Sequence, residues 1–470
     1  MPVSSSSAKS IAILGAGVTG LSTAYRLARR GHQVRLFEAS GRVGGAIRTE
    51  IVDDWLIEGG PNTLLAGDSA FTSLIDELGL GHECISARAA AKKRYIVRGG
   101  RPIAAPMSPP ALLVTSLFSL STRARILGEI LFRPRQREGD VSLAQFIRDH
   151  FGQEVVDYGL NPFVGGVYAG DPQRLSTRHA FPALWEIERT HGSIVRGQIT
   201  AARTQRRPAP ARRRGIVSFR RGLQTLPAAL AAQLPAGSLT RPAKIETLLP
   251  GPPWTVVWRH GSAVYRESFG LVVAALPAPA LAALRFGVHE EQPLAALDLI
   301  EHPPVTSVFL GYRRDQVSHP LDGFGVLVPE CERRSVLGIL FSSSLFPGRA
   351  PADHVALTVI VGGTRQPALA RMSPPDILAA IEPDLKTLLG VHGAPVISRQ
   401  THWPRAIPQY DLGYGGFLET MAVVERRFSG FLVGGQARDG ISLPACLAAG
   451  EKLATRATAE MSPDPQVPLA

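Results

Sequence analysis

The run Ile11-Ala-Ile-Leu-Gly15-Ala-Gly17-Val-Thr-Gly20, with Glu38 closing the later run Val34-Arg-Leu-Phe-Glu38, admits few folds. An apolar strand, three glycines at G-x-G-x-x-G spacing, a helix and a second apolar strand ending in an acid describe one unit. It is a βαβ grip on a dinucleotide. Gly15 permits the tight turn out of the strand, Gly17 lets the backbone approach a pyrophosphate, and Gly20 lets the helix pack close to the sheet. Around them, Ala16, Val18 and Thr19 form the helix N-terminus, whose unpaired amides face the phosphates. Leu21, Ala24, Tyr25 and Ala28 recur at helical spacing, and Gly31 ends the helix. Glu38 is expected to accept hydrogen bonds from a ribose diol and to repel a 2′-phosphate, which argues against NADP.

Arg42-Val-Gly44-Gly45-Ala46-Ile-Arg48 follows, and then Glu58-Gly-Gly60-Pro61-Asn62-Thr63. Two glycines beside an arginine allow the chain to run along an extended pyrophosphate with a cation against its charge. Alone, the segment reads equally as a loop with a surface arginine. Coming this soon after Glu38, it resembles the GG-doublet extension of the FAD-dependent amine oxidase and protoporphyrinogen oxidase superfamily. FAD is therefore the expected cofactor.

The chain has 470 residues, 45% of them hydrophobic, enough for two or three domains. Met1-Pro-Val-Ser-Ser-Ser-Ser-Ala-Lys lacks the apolar core of a secretory signal, and three widely spaced cysteines form no metal or disulfide pattern. A reducing, cytoplasmic setting is expected. The net charge of +12 is concentrated between Arg203 and Arg214, where Pro208 and Pro210 imply a loop. That loop is either simply solvated or in contact with anionic lipid headgroups. No module or aromatic set for nucleic acid accompanies the charge. The apolar stretch Ala111–Leu120 is too short for the roughly 20 residues of a membrane span. With Arg123 and Arg125 behind it, and Ile126–Phe132 beyond, it suits either an interfacial helix or a buried helix pair over a greasy substrate.

The expected architecture is α/β. A discontinuous Rossmann-type FAD-binding domain takes residues 1–87, 205–277 and 404–470. A mostly helical region takes 88–204 and a mixed substrate-binding sheet takes 278–403. Leu143–Phe151 reads as an amphipathic helix, Gly215–Leu230 as strand, turn and helix, and Gly270–Ala275 as a return to the cofactor sheet.

Several segments together resemble the oxygen-dependent protoporphyrinogen oxidase family almost end to end. They are Lys93-Arg94-Tyr95-Ile96, Asn161-Pro-Phe-Val-Gly-Gly166, Phe181-Pro-Ala-Leu-Trp185, Pro320-Leu-Asp-Gly-Phe324, Leu340-Phe341-Ser-Ser and Trp403-Pro-Arg-Ala-Ile-Pro-Gln-Tyr410. The resemblance implies FAD contacts at Gly15 to Gly20, at Glu38, Ala39, Arg42, Gly45 and Ala46, and at Gly60, Pro61, Asn62 and Thr63. It implies further contacts at the Lys244 backbone, Trp403, and Gly435, Gln436, Ile441, Ser442 and Leu443. It also implies a tetrapyrrole cavity and a helical membrane-binding domain. Arg94 would pair with a propionate, Leu327 and Leu340 would hold pyrrole rings, and Gly165 and Gly166 would offer carbonyls to pyrrole N–H groups. Ile360 stands where some relatives carry phenylalanine.

The implied reaction removes six electrons from protoporphyrinogen IX, with dioxygen as acceptor and hydrogen peroxide as product. No catalytic side chain and no metal are implied, and His402 reads as structural. Rival readings are oxidation of coproporphyrinogen III and a flavin-carrying scaffold without turnover. Peripheral attachment to the inner face of the cell membrane is expected, and a homodimer is compatible with this reading.

Overall fold

The computed structural model describes residues 10–67, 69–134, 137–204 and 215–461. The basic loop 205–214 lies outside the described residues. Five strands pair in parallel in the order Leu239–Thr240, Gln33–Phe37, Ser10–Leu14, Leu271–Ala274, Phe431–Val433. A parallel sheet is covered on both faces, so its strands are apolar throughout rather than alternating. Ile11, Ala12, Ile13 and Leu14 are all fully buried. The first helix, Val18–Arg29, crosses from the central strand to its neighbour, and Gly31 at φ 84° lets the chain turn back. The apolar run ending at Ala275 does return to this sheet, pairing Ile11 with Leu271 and Leu14 with Ala274.

A second, mixed sheet has seven strands: Ile397–Trp403, Val305–Arg313, His354–Gly362, Val336–Leu340, Gly325–Leu327, Tyr95–Arg98 and Arg101–Ala104. The last two belong to the stretch expected to be mostly helical. The difference has a local cause: Tyr-Ile-Val favours strand, and Gly99 and Gly100, both at positive φ, supply the two-residue turn that closes the hairpin. Successive side chains point to opposite faces. On one face Val308, Val326, Ile339 and Val359 pack against Ile377, Ile381, Leu385 and Leu388 of the helix Pro374–Leu389. The other face looks toward the cofactor domain and the helical layer.

That layer runs from Pro109 to Thr204 and includes the expected helix Leu143–Phe151. Its apolar start is split: Leu117 and Phe118 are buried against Ile96, whereas Leu113, Val114 and Leu120 are exposed. Arg123 and Arg125, expected as a free basic flank, instead cap carbonyls. Arg123 donates to Phe118 O (2.8 Å) and Leu113 O (2.7 Å), and Arg125 donates to Arg148 O and Asp149 O (both 2.9 Å).

The layer is held by a buried ionic cluster that the sequence did not disclose. His150 Nδ1 lies 2.7 Å from Glu129 Oε1, and Nε2 lies 3.0 Å from Glu188 Oε1. Arg137 grips Glu188 through two nitrogens at 2.7 and 2.8 Å and reaches Asp149 at 2.8 Å. Glu129 also accepts from Ser193 Oγ and from the backbone N–H of Ile194 (both 2.6 Å), capping the helix Ile194–Thr204. Rings of Phe132, Phe146 and Phe151 surround the imidazole.

Burial pushes the His150 pKa down, but its hydrogen bonds to Glu129 and Glu188 outweigh this and hold it above the ordinary value. Burial likewise pushes Glu188 up, and hydrogen bonds from His150 and Arg137 overcome it, leaving the carboxyl at about 2. Because the folded imidazole titrates above its unfolded value of about 6.5, its contribution is complete below that pH and is lost as pH rises through the folded value. Thermal unfolding followed by circular dichroism is expected to show a melting temperature that falls across that alkaline window. His150→Gln should start lower, by about 3 kcal/mol for one lost partner of a buried pair, and lack the step. A variant that keeps the step would contradict this assignment.

Candidate functional site

Four glycine-bearing segments converge at the N-terminus of the first helix. Gly15, at φ 97°, donates to Phe37 O (2.8 Å), and a Cβ on Gly20 would sit 1.9 Å from Gly15 O. Gly44 N–H donates to Ala16 O (2.8 Å), and a Cβ on Gly45 would lie 3.2 Å from Gly17 Cα. A Cβ on Gly60 would meet Ala46 O at 2.0 Å, and one on Gly435 would lie 3.7 Å from Thr19 Oγ1. Gly17 alone among these faces open space, with nothing within 4 Å of its built Cβ. The helix has neither a side-chain cap nor an acid in its first turn. Its amides are thus left for an anion from outside the chain, which fits a dinucleotide pyrophosphate.

Glu38, expected at the adenosine end, sits at one edge of this cradle. Oε2 accepts from Ala16 N (2.8 Å), and Oε1 accepts from Ser40 N and Oγ (both 2.8 Å), so the carboxylate organises the loop as well as facing outward. Ala39 is exposed beside it. Ala243 N–H donates to Glu38 O (2.6 Å), which brings the Lys244 backbone to the same corner. Arg42 donates to Ile47 O (2.8 Å) and Gly45 O (2.6 Å), so the guanidinium expected against a pyrophosphate also braces its own loop. Asn62, between Pro61 and Thr63, donates to Gly60 O (3.1 Å).

The C-terminal segment is clamped by residues that pattern reading missed. Tyr410 donates its hydroxyl to Gln436 O and accepts from Gly440 N (3.0 Å), and Tyr414 donates to Ala437 O (2.8 Å). Both phenols are buried and pushed well above their ordinary pKa by that burial, so they stay protonated donors. The Gln436 side chain turns to Ile441 O (3.4 Å), and Ser442 Oγ accepts from Ala445 N (3.2 Å) at the start of the helix Leu443–Met461. Another missed residue is Glu58. Burial raises its pKa, while it accepts from Thr49 Oγ1 (2.7 Å) and Leu223 N (2.8 Å) just before Gly59-Gly60. Its placement directly ahead of the doublet was the available signal.

The open face of the seven-stranded sheet carries the expected substrate residues. Register places Leu327 opposite Gly338, Gly338 opposite Ile360, and Ile360 opposite Ser307, in one row across four strands. Leu340, two residues from Gly338, shares that face. Leu340 and Phe324 both pack against the cluster Ala91, Leu345 and Phe346, and the Phe324 ring lies 5.4 Å from the Arg94 guanidinium. Among the described residues Arg94 makes no ion pair. Its neighbours are engaged: Lys93 pairs with Asp322, and Arg98 pairs with Glu154 (2.7 Å) over the Tyr158 ring. The helix Asn161–Val167 presses on the same face, where a Cβ on Gly166 would meet Leu327 Cδ2 at 2.6 Å; buried Gly165 lies one residue before it. At the far edge Trp403 Nε1 donates to Gly59 O (2.8 Å), so the seven-stranded sheet and the glycine cradle touch. His402 turns the other way, to Thr306 Oγ1 (3.0 Å).

The flavin-containing amine oxidoreductase model matches residues 18–457. The chain belongs to this family. Its cofactor is FAD, and the cradle described above is where it fits. This amine oxidoreductase is 35% identical to protoporphyrinogen oxidase 2, chloroplastic/mitochondrial, of Arabidopsis thaliana, over 95% of this chain and 93% of that protein. It is 26% identical to coproporphyrinogen III oxidase of Bacillus subtilis (strain 168), over 94% and 96% respectively. The crystal structure of a protein from Exiguobacterium sp. 255-15 proposed to be a protoporphyrinogen oxidase has the same fold, with TM-score 0.80, 23% identity and coverage of 98% and 100%.

Removing the Tyr410 hydroxyl takes one partner from the part-buried Gln436 carbonyl and Gly440 amide of this segment, a loss of about 1–3 kcal/mol. Tyr410→Phe is expected to weaken FAD retention by about ten-fold or more, read as flavin fluorescence released on dilution. Retention equal to wild type would show that the clamp does not act on the cofactor.

Proposed function

We propose that this protein oxidises protoporphyrinogen IX to protoporphyrin IX with dioxygen as acceptor, as a peripheral membrane enzyme. The observation that supports the reading best is the apolar row Leu327–Gly338–Ile360, bounded by Arg94, which has no ion-pair partner among the described residues, and joined to the cofactor cradle through Trp403 and Gly59. A flat macrocycle with apolar rings and carboxylate arms has the shape and charge that such a face accepts. When bound, FAD supplies acceptance of hydride from a carbon of the reduced macrocycle.

The chain's own residues bind and orient. Arg94 receives a propionate through charge-assisted hydrogen bonds, and Leu327, Leu340 and Ile360 exclude water from the rings. The Gly165 and Gly166 carbonyls, in the last turn of the Asn161–Val167 helix, offer acceptors to pyrrole N–H groups. Membrane attachment is supported by the outer side of the helical layer. Leu113, Val114, Leu120 and Leu131 there are 56%, 82%, 77% and 78% exposed. No helix among the described residues is long and apolar enough to cross a membrane, and these exposed leucines and valine suit an interfacial contact.

Assay with protoporphyrinogen IX and coproporphyrinogen III is expected to give porphyrin fluorescence and peroxide, faster with the dicarboxylate. Preference for the tetracarboxylate would replace the substrate assignment, and flavin binding without turnover on either would leave a scaffold. Arg94→Ala should lower kcat/KM by about ten- to a hundred-fold with FAD content unchanged. Replacing Leu113, Val114, Leu120 and Leu131 by serine should abolish co-sedimentation with anionic vesicles and spare turnover in detergent.

A further inference from the structure

Arg365 stands where the helix Asn161–Val167 meets the substrate sheet. The strand His354–Gly362 ends in Gly362 and Gly363, both at positive φ. A Cβ on Gly363 would lie 2.4 Å from Ala169 O, and Thr364 N–H donates to that same carbonyl (2.8 Å). Only a chain without side chains can come this close, and the approach delivers Arg365 beneath the helix.

There Arg365 Nη1 donates to Val328 O (2.9 Å) and Nη2 donates to Asn161 Oδ1 (3.0 Å). A Cβ on Gly165 would lie 3.3 Å from Nη2. Among the described residues Arg365 has no carboxylate partner. Glu330 is tied to Asn161 instead, accepting from Nδ2 (3.1 Å) and donating its backbone N–H to Oδ1 (2.8 Å). One guanidinium therefore links the residue after Leu327 to the residue that opens the helix bearing Gly165 and Gly166. A planar fork with fixed donors sets a separation that a flexible ammonium does not.

We infer that Arg365 is a positioning residue for the macrocycle: by bridging Val328 and Asn161 it fixes how the Gly165–Gly166 turn seats on the Leu327 side chain, and so the shape of the face offered to the ring. This rests on the reading that the Leu327 face takes the porphyrinogen. A ring laid on the face that the turn and the leucine form together is sensitive to that seating, since misplacement by about 1 Å can cost up to a hundred-fold. Arg365 touches neither cradle nor flavin loop, so its effect falls on the macrocycle alone.

The test uses the FAD-loaded full chain with Arg365→Met, Arg365→Lys and Asn161→Ala. Two readouts are taken: steady-state KM and kcat with protoporphyrinogen IX, and the Kd of protoporphyrin IX from quenching of flavin fluorescence. Arg365→Met is expected to raise KM and Kd about ten-fold while kcat falls less than about three-fold. Flavin content and melting temperature should stay near wild type. Arg365→Lys, which reaches one acceptor, should recover part of the loss. Arg365→Met combined with Asn161→Ala should be no worse than the more affected single variant, because both break one link.

Unchanged KM and Kd in Arg365→Met overturn the inference while porphyrinogen oxidation by the wild type stands. Loss of flavin and melting temperature in step with activity, with KM unmoved, also overturns it, because Arg365 would then be a structural tie. Absence of turnover with an Arg365-dependent Kd would remove the proposed activity and keep the positioning role. A wild type that binds no porphyrin overturns both.

Discussion

The molecule depends on backbone lying directly on backbone at one helix terminus. Gly20 against Gly15, Gly45 against Gly17 and Gly60 against Ala46 are approaches in which an added carbon would collide or crowd, and Gly435, at φ 108°, runs alongside Thr19. They bring four distant parts of the chain within reach of the same few amides. The polar groups around this point serve the loops first. The Glu38 carboxylate gathers Ala16 and Ser40, and the Arg42 guanidinium gathers Gly45 and Ile47. A cradle whose walls are already hydrogen-bonded to each other is rigid before any ligand arrives, which lowers the ordering cost of binding.

The seven-stranded sheet carries the second half of the design by simple alternation. Val308, Val326, Ile339 and Val359 face a helix and form ordinary core, while their sequence neighbours Ser307, Leu327, Gly338, Leu340 and Ile360 face the cofactor side. A shift of one residue in register would exchange the two sets. The hydrogen bond from Trp403 to Gly59 pins the edge strand of this sheet to the cradle, so that face has a fixed relation to the cofactor segments.

What the sequence disclosed and what it hid divide along physical lines. The glycine turn, Glu38 and the buried strands Ile11–Leu14 and Leu271–Ala274 were readable because short-range backbone geometry and continuous apolarity leave a local imprint. Arg94 was singled out by resemblance alone, and only the pairing of Lys93 and Arg98 with carboxylates separates it from them physically. Tyr410, Arg365 and the Glu129–His150–Glu188 cluster were not readable. Their partners lie 26, 204 and between 21 and 38 positions away, and no periodicity reports such pairings. The hairpin at Tyr95 was absorbed into a helical stretch because a turn built on Gly99-Gly100 is a short signal beside longer apolar helices. Arg123 and Arg125 looked like a basic flank for the opposite reason, since composition gives the charge and omits the carbonyls it caps.

The order of strands in the parallel sheet has a consequence for synthesis. The central strand Ser10–Leu14 is made first, yet the outermost strand Phe431–Val433 and the long helix Leu443–Met461 come last. That helix lies so close to the first that a Cβ on Gly450 would meet Ser22 Cβ at 2.5 Å. The nucleotide grip thus waits on the ribosome until the chain has reached Leu443–Met461, the face of its first helix that meets this one lacking a cover meanwhile. Nascent chains of this architecture present that face to chaperones and proteases until the last helix docks, and a truncation ahead of Leu443 leaves the first helix without it.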